Sequence, residues 1–481
     1  MKKNYIKAIA AATAIMLILC GCGSGKNVLD KDNPVTITVW HYYNGIQQRI
    51  FDELVKEFNE TVGVEKGIIV ESQNQGDVVG LTEKVIDSAN QVVGSDEMPE
   101  IFAAYADTAY EINKMGLAVD ITQYLSNDEL SEYIDSFIDE GKFDNSGSIK
   151  LFPTAKSTEI LMLNETDWND FAQENDVEEA ALATWEGITK TAKQYYEWTD
   201  AKTPEENDGK AFFGRDAYAN YIIIGSLQLG TELFHVDNGK VTYQINKEVM
   251  RKLWDNFYVP YVSGWFGSYG KFRSDDAKTG AIIALVGSTS GASYFPTEVT
   301  REDGTTYPIS AKIFPLPNFE GTEPYAVQQG AGMVITKTDV VKETACIEFL
   351  KWATKSENNI RFSISSGYLP VKTEANDKAK IDEAINKAPD KTSDVLYNTL
   401  MTGSQMTKEY KLYTNKAFEG GYGARRIVEY SMIDLVNADL EQINTMVASG
   451  MRRSDAVAQF TTDEHFEQWL QQFTDKLNGK K

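Results

Sequence analysis

The sequence predicts an α/β protein that divides into more than one domain. The chain has 481 residues, and a single hydrophobic core stops growing near about 250–300 residues, so two or more domains are expected. Strand and helix patterns alternate along its first part, which is typical of a parallel sheet covered by helices. The hydrophobic content of 42% and the charged content of 25% are ordinary for a folded globular chain.

The segments after residue 34 show the strand–helix–strand order most clearly. Residues 35–40 alternate β-branched and polar side chains, as a strand does. Ile50, Leu54 and Phe58 then recur at helical spacing. Residues 67–71 resemble a second strand, so this part of the chain predicts one unit of a parallel sheet.

Further elements are predicted along the rest of the chain. Strand-like segments lie at residues 99–105, 150–153, 160–163, 281–286 and 333–335. The run 281–286 is apolar throughout and lies between two glycines, which suits a strand buried on both faces. Helical periodicity dominates residues 164–210 and the tail from residue 427 onward.

The N-terminus predicts export and a lipid anchor. A basic stretch precedes an apolar run at residues 8–19, which has the length of a signal peptide and is short for a membrane span. The sequence Leu-Cys-Gly-Cys at 19–22 resembles the lipobox of bacterial lipoproteins. We therefore expect residues 1–21 to be the signal peptide, Cys22 to carry lipid at the outer face of the cell membrane, and residues 22–32 to form a tether.

Charge and cysteine usage exclude several classes of function. The formal net charge of −24 disfavours nucleic-acid binding, because a phosphate backbone requires a basic face. Once Cys22 is lipidated and residues 1–21 are removed, Cys346 is left without a disulfide partner. It lies on a predicted apolar helix, so we expect a small core residue there and not a nucleophile.

No catalytic, metal or cofactor site is predicted. The chain has three histidines, with no HExxH pattern and no phosphate-binding glycine loop. Residues 287–291 resemble a nucleophile elbow, but Thr289 occupies the position of the nucleophile. We therefore expect a protein that is not an enzyme and that uses no cofactor.

Aromatic and small polar side chains follow several predicted strands. In open α/β sheets, ligands bind beyond the carboxyl ends of the strands. Aromatic faces stack on apolar surfaces, and hydroxyls and carboxylates fix the orientation of a polar ligand. The residues found at such strand ends are Tyr42 and Tyr43, Tyr105 and Asp107, and Ser288 and Ser290.

Five short motifs lie in order behind the lipobox, at 35–40, 98–102, 116–121, 347–352 and 366–371. They resemble those of the extracellular solute-binding proteins of ABC transporters that bind sugars. The resemblance covers nearly the whole mature chain. It implies two α/β lobes joined by crossing hinge strands, with a ligand cleft between them that closes on the ligand. It also implies discontinuous lobes, one at 33–150 plus 281–330 and the other at 151–280 plus 331–481.

Within that family, the nearest resemblance is to binding proteins for glycerol 3-phosphate. The Gln-Gly-Ala-Gly sequence at 329–332 resembles that subgroup's Gly-Gly-Ala-Ser loop, and Arg426 lies near its late phosphate-binding arginine. The first arginine and both glycines of that subgroup's Arg-Gly-x-Arg-Leu-Gly setting are absent, and Asp107 is only adjacent to the expected acidic position. A stacking tryptophan of the maltose-binding type near Thr289 is also absent, although Trp265 could supply an aromatic face.

These observations define one set of expected ligand contacts. Tyr368 belongs to it because Gly367 and Pro370 impose a turn that can hold the ring toward the cleft. The complete set is Tyr42, Tyr43, Tyr105, Asp107, Ser157, Trp265, Ser288, Ser290, Gln329, Gly330, Tyr368 and Arg426.

The leading hypothesis is a monomeric receptor that delivers a sugar or related polar solute to the permease subunits of an ABC importer. The alternative is a receptor for glycerol 3-phosphate or a glycerophosphodiester. A surface-anchored glycoside hydrolase, which would use two carboxylates about 5–10 Å apart, is a remote alternative. A sensory partner of a membrane kinase would bind its ligand in the same way.

Overall fold

The computed structural model describes residues 28–237, 239–388, 392–414 and 416–479. The predicted signal peptide and Cys22 lie outside these residues. No helix in the described part of the chain is both long enough and apolar enough to span a membrane.

In the described residues, fourteen strands form two principal sheets and three small ribbons. The strands are β1 (Val35–His41), β2 (Ile68–Asn74), β3 (Ile101–Ala104), β4 (Glu159–Asn164), β5 (Phe213–Arg215), β6 (Phe234–Asp237), β7 (Lys240–Tyr243), β8 (Ala284–Ser288), β9 (Glu298–Thr300), β10 (Thr306–Pro308), β11 (Ala311–Pro315), β12 (Tyr325–Val327), β13 (Gly332–Ile335) and β14 (Lys411–Tyr413).

Helices cover both principal sheets. They are α1 (Gly45–Phe58), α2 (Val64–Lys66), α3 (Val78–Ala89), α4 (Ala106–Lys114), α5 (Asn127–Leu130), α6 (Asp135–Asp139), α7 (Glu165–Asn175), α8 (Trp185–Asp200), α9 (Tyr218–Gln228), α10 (Lys247–Asp255), α11 (Tyr258–Val262), α12 (Arg273–Thr279), α13 (Val340–Ala353), α14 (Ser356–Ser366), α15 (Lys378–Lys387), α16 (Asp394–Glu409), α17 (Gly421–Ala448), α18 (Arg453–Ala458) and α19 (Asp463–Leu477).

The first lobe is built on the sheet ordered β13-β3-β1-β2. Strands β2 and β3 flank β1 in parallel, and β13 runs antiparallel to β3 at the edge. The predicted helical stripe of Ile50, Leu54 and Phe58 lies on α1 and is buried in this lobe's core. Cys346 is fully buried on α13, and burial raises the pKa of its thiol, so the predicted core role is confirmed.

The second lobe is built on the sheet ordered β11-β4-β8-β5. Strand β8 lies between β4, which is antiparallel to it, and β5, which is parallel. The apolar run predicted to be a doubly buried strand corresponds to β8 and the residues before it. Ile282 to Val286 are all buried there, because neighbouring strands and both faces of the sheet enclose them.

The lobe boundaries differ from those expected from the sequence. Segment 281–330 was expected in the first lobe, but β8 and β11 pair within the second sheet and pack in its core. Segment 331–371 was expected in the second lobe, but β13 and the helices α13 and α14 contribute to the first lobe's core. The chain therefore returns to the first lobe near residue 330.

Two extended segments cross between the lobes side by side. Ser157 and Gln329 exchange both backbone hydrogen bonds, at 2.8 and 2.9 Å, and Phe152 and Met333 do the same at 2.8 Å. The backbone of Leu369 pairs with Lys156 on the other side of the first segment. Residues 150–153, predicted as strand material, thus belong to this crossing ribbon.

A buried ion pair lies at the crossing. The Lys156 ammonium is fully buried, pairs with the Glu140 carboxylate, and donates to the carbonyl oxygen of Gly330 at 2.7 Å. Gln328 donates to the same Glu140 carboxylate at 3.1 Å. Both crossing segments and the first lobe are therefore joined by one buried charge pair.

Candidate functional site

A cavity of about 580 Å³ lies in the cleft between the lobes. Tyr42, directly after β1, and Ser288, the last residue of β8, lie on opposite walls. Strand ends of this kind are where α/β proteins bind ligands. The lining residues are Tyr42, Asn44, Gln47 and Tyr368 from the first lobe, Gln329 from the crossing, and Glu159, Met162, Asp216, Ala217, Phe272, Ser274, Asp275, Lys278, Leu285, Gly287, Ser288, Ser290, Gly291, Tyr294 and Phe295 from the second.

Two tyrosines form the first-lobe wall. Their hydroxyl oxygens, in Tyr42 and Tyr368, lie 3.5 Å apart, and the Ala331 backbone N–H donates to the Tyr42 oxygen at 3.4 Å. The Tyr368 ring stacks on Phe362 with centroids 5.9 Å apart. Burial raises the pKa of both phenols, so both remain neutral hydrogen-bonding groups at physiological pH.

A short turn after β8 forms part of the opposite wall. The Ser288 and Ser290 hydroxyls lie 2.9 Å apart, and the Ser290 backbone N–H donates to the Ser288 oxygen. Gly367 approaches this turn so closely that an added Cβ would lie 2.4 Å from the Thr289 carbonyl oxygen. Because its φ is also +72°, only glycine fits there, and the Tyr368 turn is held against the second lobe.

The floor of the cleft is a hydrogen-bonded polar network. The Arg215 guanidinium donates to both Glu159 oxygens, at 2.9 and 3.0 Å. The Asn220 amide donates to Glu159 at 2.8 Å and to the Gln329 oxygen at 3.2 Å, and Arg425 donates to the Asn220 oxygen at 2.6 Å. Burial raises the pKa of Glu159, and the two arginines and Asn220 oppose that shift.

Asp216 contributes a partly exposed carboxylate to the same wall. Its Oδ1 accepts the Arg273 backbone N–H at 3.2 Å and lies 3.5 Å from the Arg273 side chain. Burial raises the pKa of Asp216, and its contacts with Arg273 and the charge of Arg215 lower it in part.

Ala217, the residue after Asp216, places the start of α9 beside the cleft. Ala217 has φ +50°, a conformation that costs a non-glycine residue about 1–3 kcal/mol, and α9 begins directly after it. The Glu429 carboxylate accepts the backbone N–H groups of Tyr218 and Ala219, at 3.1 and 2.6 Å. The partial positive charge of this helix end is therefore already neutralised by a side chain of α17.

Five of the twelve residues expected from the sequence line the cavity. They are Tyr42, Ser288, Ser290, Gln329 and Tyr368. Ser157 and Gly330 lie in the crossing ribbon behind it, where Ser157 pairs with Gln329 and the Gly330 carbonyl accepts from Lys156.

Tyr43 and Trp265 pack elsewhere. Tyr43 is 3% exposed and lies among His41, Phe51 and Phe362 in the first core. It turns inward because neighbouring residues of an extended segment point to opposite sides, and Tyr42 faces the cleft. Trp265 packs on the second core, with the Lys193 ammonium 5.7 Å from its ring.

Of the two adjacent arginines on α17, Arg425 is the one directed toward the cleft. Arg426 is exposed on α17, where its guanidinium lies 5.5 Å from the Tyr430 ring. Successive helical residues point about 100° apart, so a one-residue difference moves the side chain to another face. Arg425 instead reaches Asn220, and its charge also acts on Tyr105 and Asp107.

Tyr105 and Asp107 lie at the start of α4, on the side of Arg425. Tyr105 is 37% exposed, and Asp107 is in the first turn of the helix. Burial raises the pKa of Asp107, and Arg425 opposes the shift. Neither residue lines the cavity, and both lie within reach of the Arg425 charge.

Several lining residues were missed from the sequence. Asn44 and Gln47 follow the predicted first strand and could have been included by extending that strand-end rule. Phe272 and Tyr294 are 52% and 50% exposed, an accessibility that the sequence does not encode. Asp216 had no distinguishing signal among the 71 acidic residues of the chain.

Comparison with known proteins agrees with this architecture. The profile of the bacterial extracellular solute-binding protein family matches residues 53–390. The sn-glycerol-3-phosphate-binding periplasmic protein UgpB of Brucella melitensis biotype 1 is 24% identical over 391 residues, which cover 77% of this chain and 82% of that protein.

Solved structures share the fold. UgpB from Mycobacterium tuberculosis in complex with glycerophosphocholine aligns with TM-score 0.61 and 17% identity, over 92% of this chain and 99% of that one. The ABC substrate-binding protein Lmo0181 from Listeria monocytogenes, in complex with cycloalternan, aligns with TM-score 0.65 and 16% identity, over 93% and 100%. With the family profile spanning most of its length, the two-lobed chain belongs to the bacterial extracellular solute-binding protein family.

Proposed function

We propose that the protein captures a sugar or a related polyhydroxylated solute in the cleft and delivers it to an ABC importer. The observation that carries this proposal is the mixed lining of the cavity. Five aromatic side chains, Tyr42, Phe272, Tyr294, Phe295 and Tyr368, share it with serine hydroxyls, amides and carboxylates. Aromatic faces pack on the C–H surface of a sugar ring, and polar oxygens accept its hydroxyl protons.

The charges of the lining favour a ligand without a phosphate group. Glu159, Asp216 and Asp275 line the cavity, and among the described lining residues Lys278 alone carries a positive charge. The start of α9, which could bind an anion through its backbone N–H groups, is already occupied by Glu429.

A glycerol phosphate or glycerophosphodiester is the second candidate. Arg425 supports it, because its guanidinium reaches the Asn220 amide at the cleft floor and can grip phosphate bidentately. The Brucella relatives are also named for glycerol 3-phosphate binding.

The receptor contributes to transport by domain closure around the ligand, and ATP hydrolysis belongs to a separate subunit of the importer. Ligand contacts from Tyr42 and Tyr368 on one lobe and from Ser288 and Phe272 on the other can form together only when the cleft is closed. The ligand therefore shifts the population toward the closed form, which the membrane subunits of the importer recognise. The receptor acts as a monomer, tethered through Cys22 by lipid after residues 1–21 are removed.

A ligand screen tests the proposed function. We expect sugars to raise the thermal midpoint of the purified protein, since a ligand at 100 times its Kd adds about 2.7 kcal/mol to the free energy of unfolding. The panel contains glucose, maltose, maltotriose, glycerol 3-phosphate and glycerophosphocholine, with lactate as a control. Binding of the phosphates alone would replace the first candidate by the second, and no binding at all would refute both.

The two half-exposed aromatic side chains of the cleft, Phe272 and Tyr294, give the second prediction. Phe272→Ala and Tyr294→Ala should each weaken binding of the best sugar by about 0.5–1.5 kcal/mol, because each loses a stacking face. Both side chains are half exposed, so the thermal midpoint of the free protein should not change. Calorimetry measures the affinity, and Tyr430→Ala, which removes a 46% exposed ring outside the cleft, is the matched control. Unchanged affinity in both cleft variants would exclude these rings from the site.

The neighbouring arginines separate the two ligand classes. Arg425→Ala should weaken a phosphorylated ligand by about 2 kcal/mol or more, because a buried charge pair is lost, and should affect a neutral sugar much less. Arg426→Ala should leave both affinities unchanged, since its guanidinium lies on the outer surface of α17. Equal effects of the two substitutions on Kd would contradict this placement.

The anchor gives a further prediction. Two acyl chains on a diacylglyceryl cysteine give stable membrane attachment, whereas one chain binds only marginally. Cys22→Ser should therefore release the protein from the membrane fraction or leave an uncleaved precursor. Mass spectrometry of the wild-type N-terminus is the direct measurement, and a mature terminus without lipid at Cys22 would contradict the proposal.

A further inference from the structure

The carboxylates that line the cleft are not equally neutralised. Glu159 is bound by the Arg215 guanidinium and by Asn220. Asp275 accepts the backbone N–H of Phe272 at 3.2 Å, and the Lys278 ammonium lies 3.8 Å from its other oxygen. Each of these two acids therefore has a cation of its own.

Asp216 shares its cation with another acid. The Arg273 guanidinium donates to the carboxylate of Asp276 and to the carbonyl oxygens of Gly267 and Gly270. Its Nε lies 3.5 Å from Oδ1 of Asp216 without forming a hydrogen bond. One guanidinium thus serves two carboxylates, and the Asp216 side chain keeps 36% of its surface exposed.

The second oxygen of Asp216 is available to a ligand. Within the described part of the chain, Oδ2 accepts no hydrogen bond, and it lies 3.8 Å from the Cβ position that an alanine would have at Gly287, a residue of the cavity wall. Burial also raises the pKa of this carboxyl, which its contacts with Arg273 and the charge of Arg215 only partly offset. A ligand hydroxyl could donate a hydrogen bond to Oδ2. Only a cation, however, would also balance the negative charge of the Asp216 carboxylate, which Arg273 shares with Asp276.

We propose that the captured solute carries an ammonium group that binds Oδ2 of Asp216 beside the aromatic rings of the cleft. This inference rests on the proposed function and specifies its substrate class. The Phe272 ring is adjacent in sequence to Arg273 and lines the same cavity, and aromatic faces attract cations. The ammonium group can be the protonated primary amine of an amino sugar or the quaternary ammonium of a choline ester. The two share the positive charge, and the primary ammonium also donates a hydrogen bond to Oδ2.

Matched ligand pairs test the proposal by calorimetry at fixed salt. The pairs are glucosamine against glucose, the β-1,4-linked glucosamine disaccharide against its N-acetylated form, and choline against its uncharged carbon isostere 3,3-dimethylbutan-1-ol. We expect at least one ammonium compound to bind about tenfold more tightly than its partner, the size of effect that a partly buried charge pair gives. The first two pairs identify a primary amine, and the third identifies a quaternary amine.

Two Asp→Asn variants identify the carboxylate that binds the ammonium group. Asp216→Asn should remove the preference for the ammonium compound, because the amide carries no charge, and an unchanged thermal midpoint would show that the variant is folded. Asp275→Asn should retain most of the preference, because Lys278 already faces that carboxylate. Equal losses in both variants would overturn the assignment to Asp216.

The outcomes of the two proposals are distinguishable. If no ammonium compound binds more tightly than its partner, the ammonium site is refuted. Binding of neutral sugars in that case would leave the proposed sugar receptor intact. If neither sugars nor glycerol phosphates bind in any form, the proposed function itself fails.

Discussion

The buried ion pair of Lys156 with Glu140 is the interaction on which the two-lobed arrangement depends. It lies where the chain crosses between the lobes, with Gly330 and Leu369 bound to the same lysine. Removing one partner of such a pair costs about 3–5 kcal/mol, because the other charge is left buried and uncompensated. Tyr368 and Gln329, which line the cleft, are sequence neighbours of these bound residues. The walls of the cavity are therefore attached to the most constrained point of the fold.

The same crossing segment also fixes the second wall. Lys156 and Glu159 are three residues apart in extended backbone, so their side chains point to opposite sides. Lys156 pairs with the first lobe through Glu140, and Glu159 pairs with the second lobe through Arg215. Gln329 joins the two, since its backbone pairs with Ser157 and its side chain accepts from Asn220. Residues 156–159 thus connect the crossing between the lobes to the floor of the cleft.

Local patterns in the sequence predicted individual helices and strands, but they did not predict which strands pair with each other. The periodicity of α1 and the apolar run of β8 predicted both elements, because each reflects burial of its own side chains. The sheet that β8 joins depends on long-range pairing, which no local pattern contains, so the family resemblance alone placed segment 281–330, and it implied the other lobe. The placements of Tyr43 and Arg426 differ for a simpler reason. A shift of one residue reverses the side of a strand and moves a helical side chain by about 100°.

The half-exposed rings of Phe272 and Tyr294 are positioned by hydrogen-bonded local backbone. Phe272 precedes α12, and its N–H is held by Asp275, while Tyr294 ends the turn that begins at Ser288. Leaving two aromatic side chains half in water forgoes hydrophobic stabilisation, and grouped exposed apolar surface marks binding sites in soluble proteins. Because their backbones are already fixed, little further conformational entropy is lost when a ligand packs on them. In the proposed receptor, both aromatic faces are thus in position before the ligand arrives, at a small cost in the stability of the free protein.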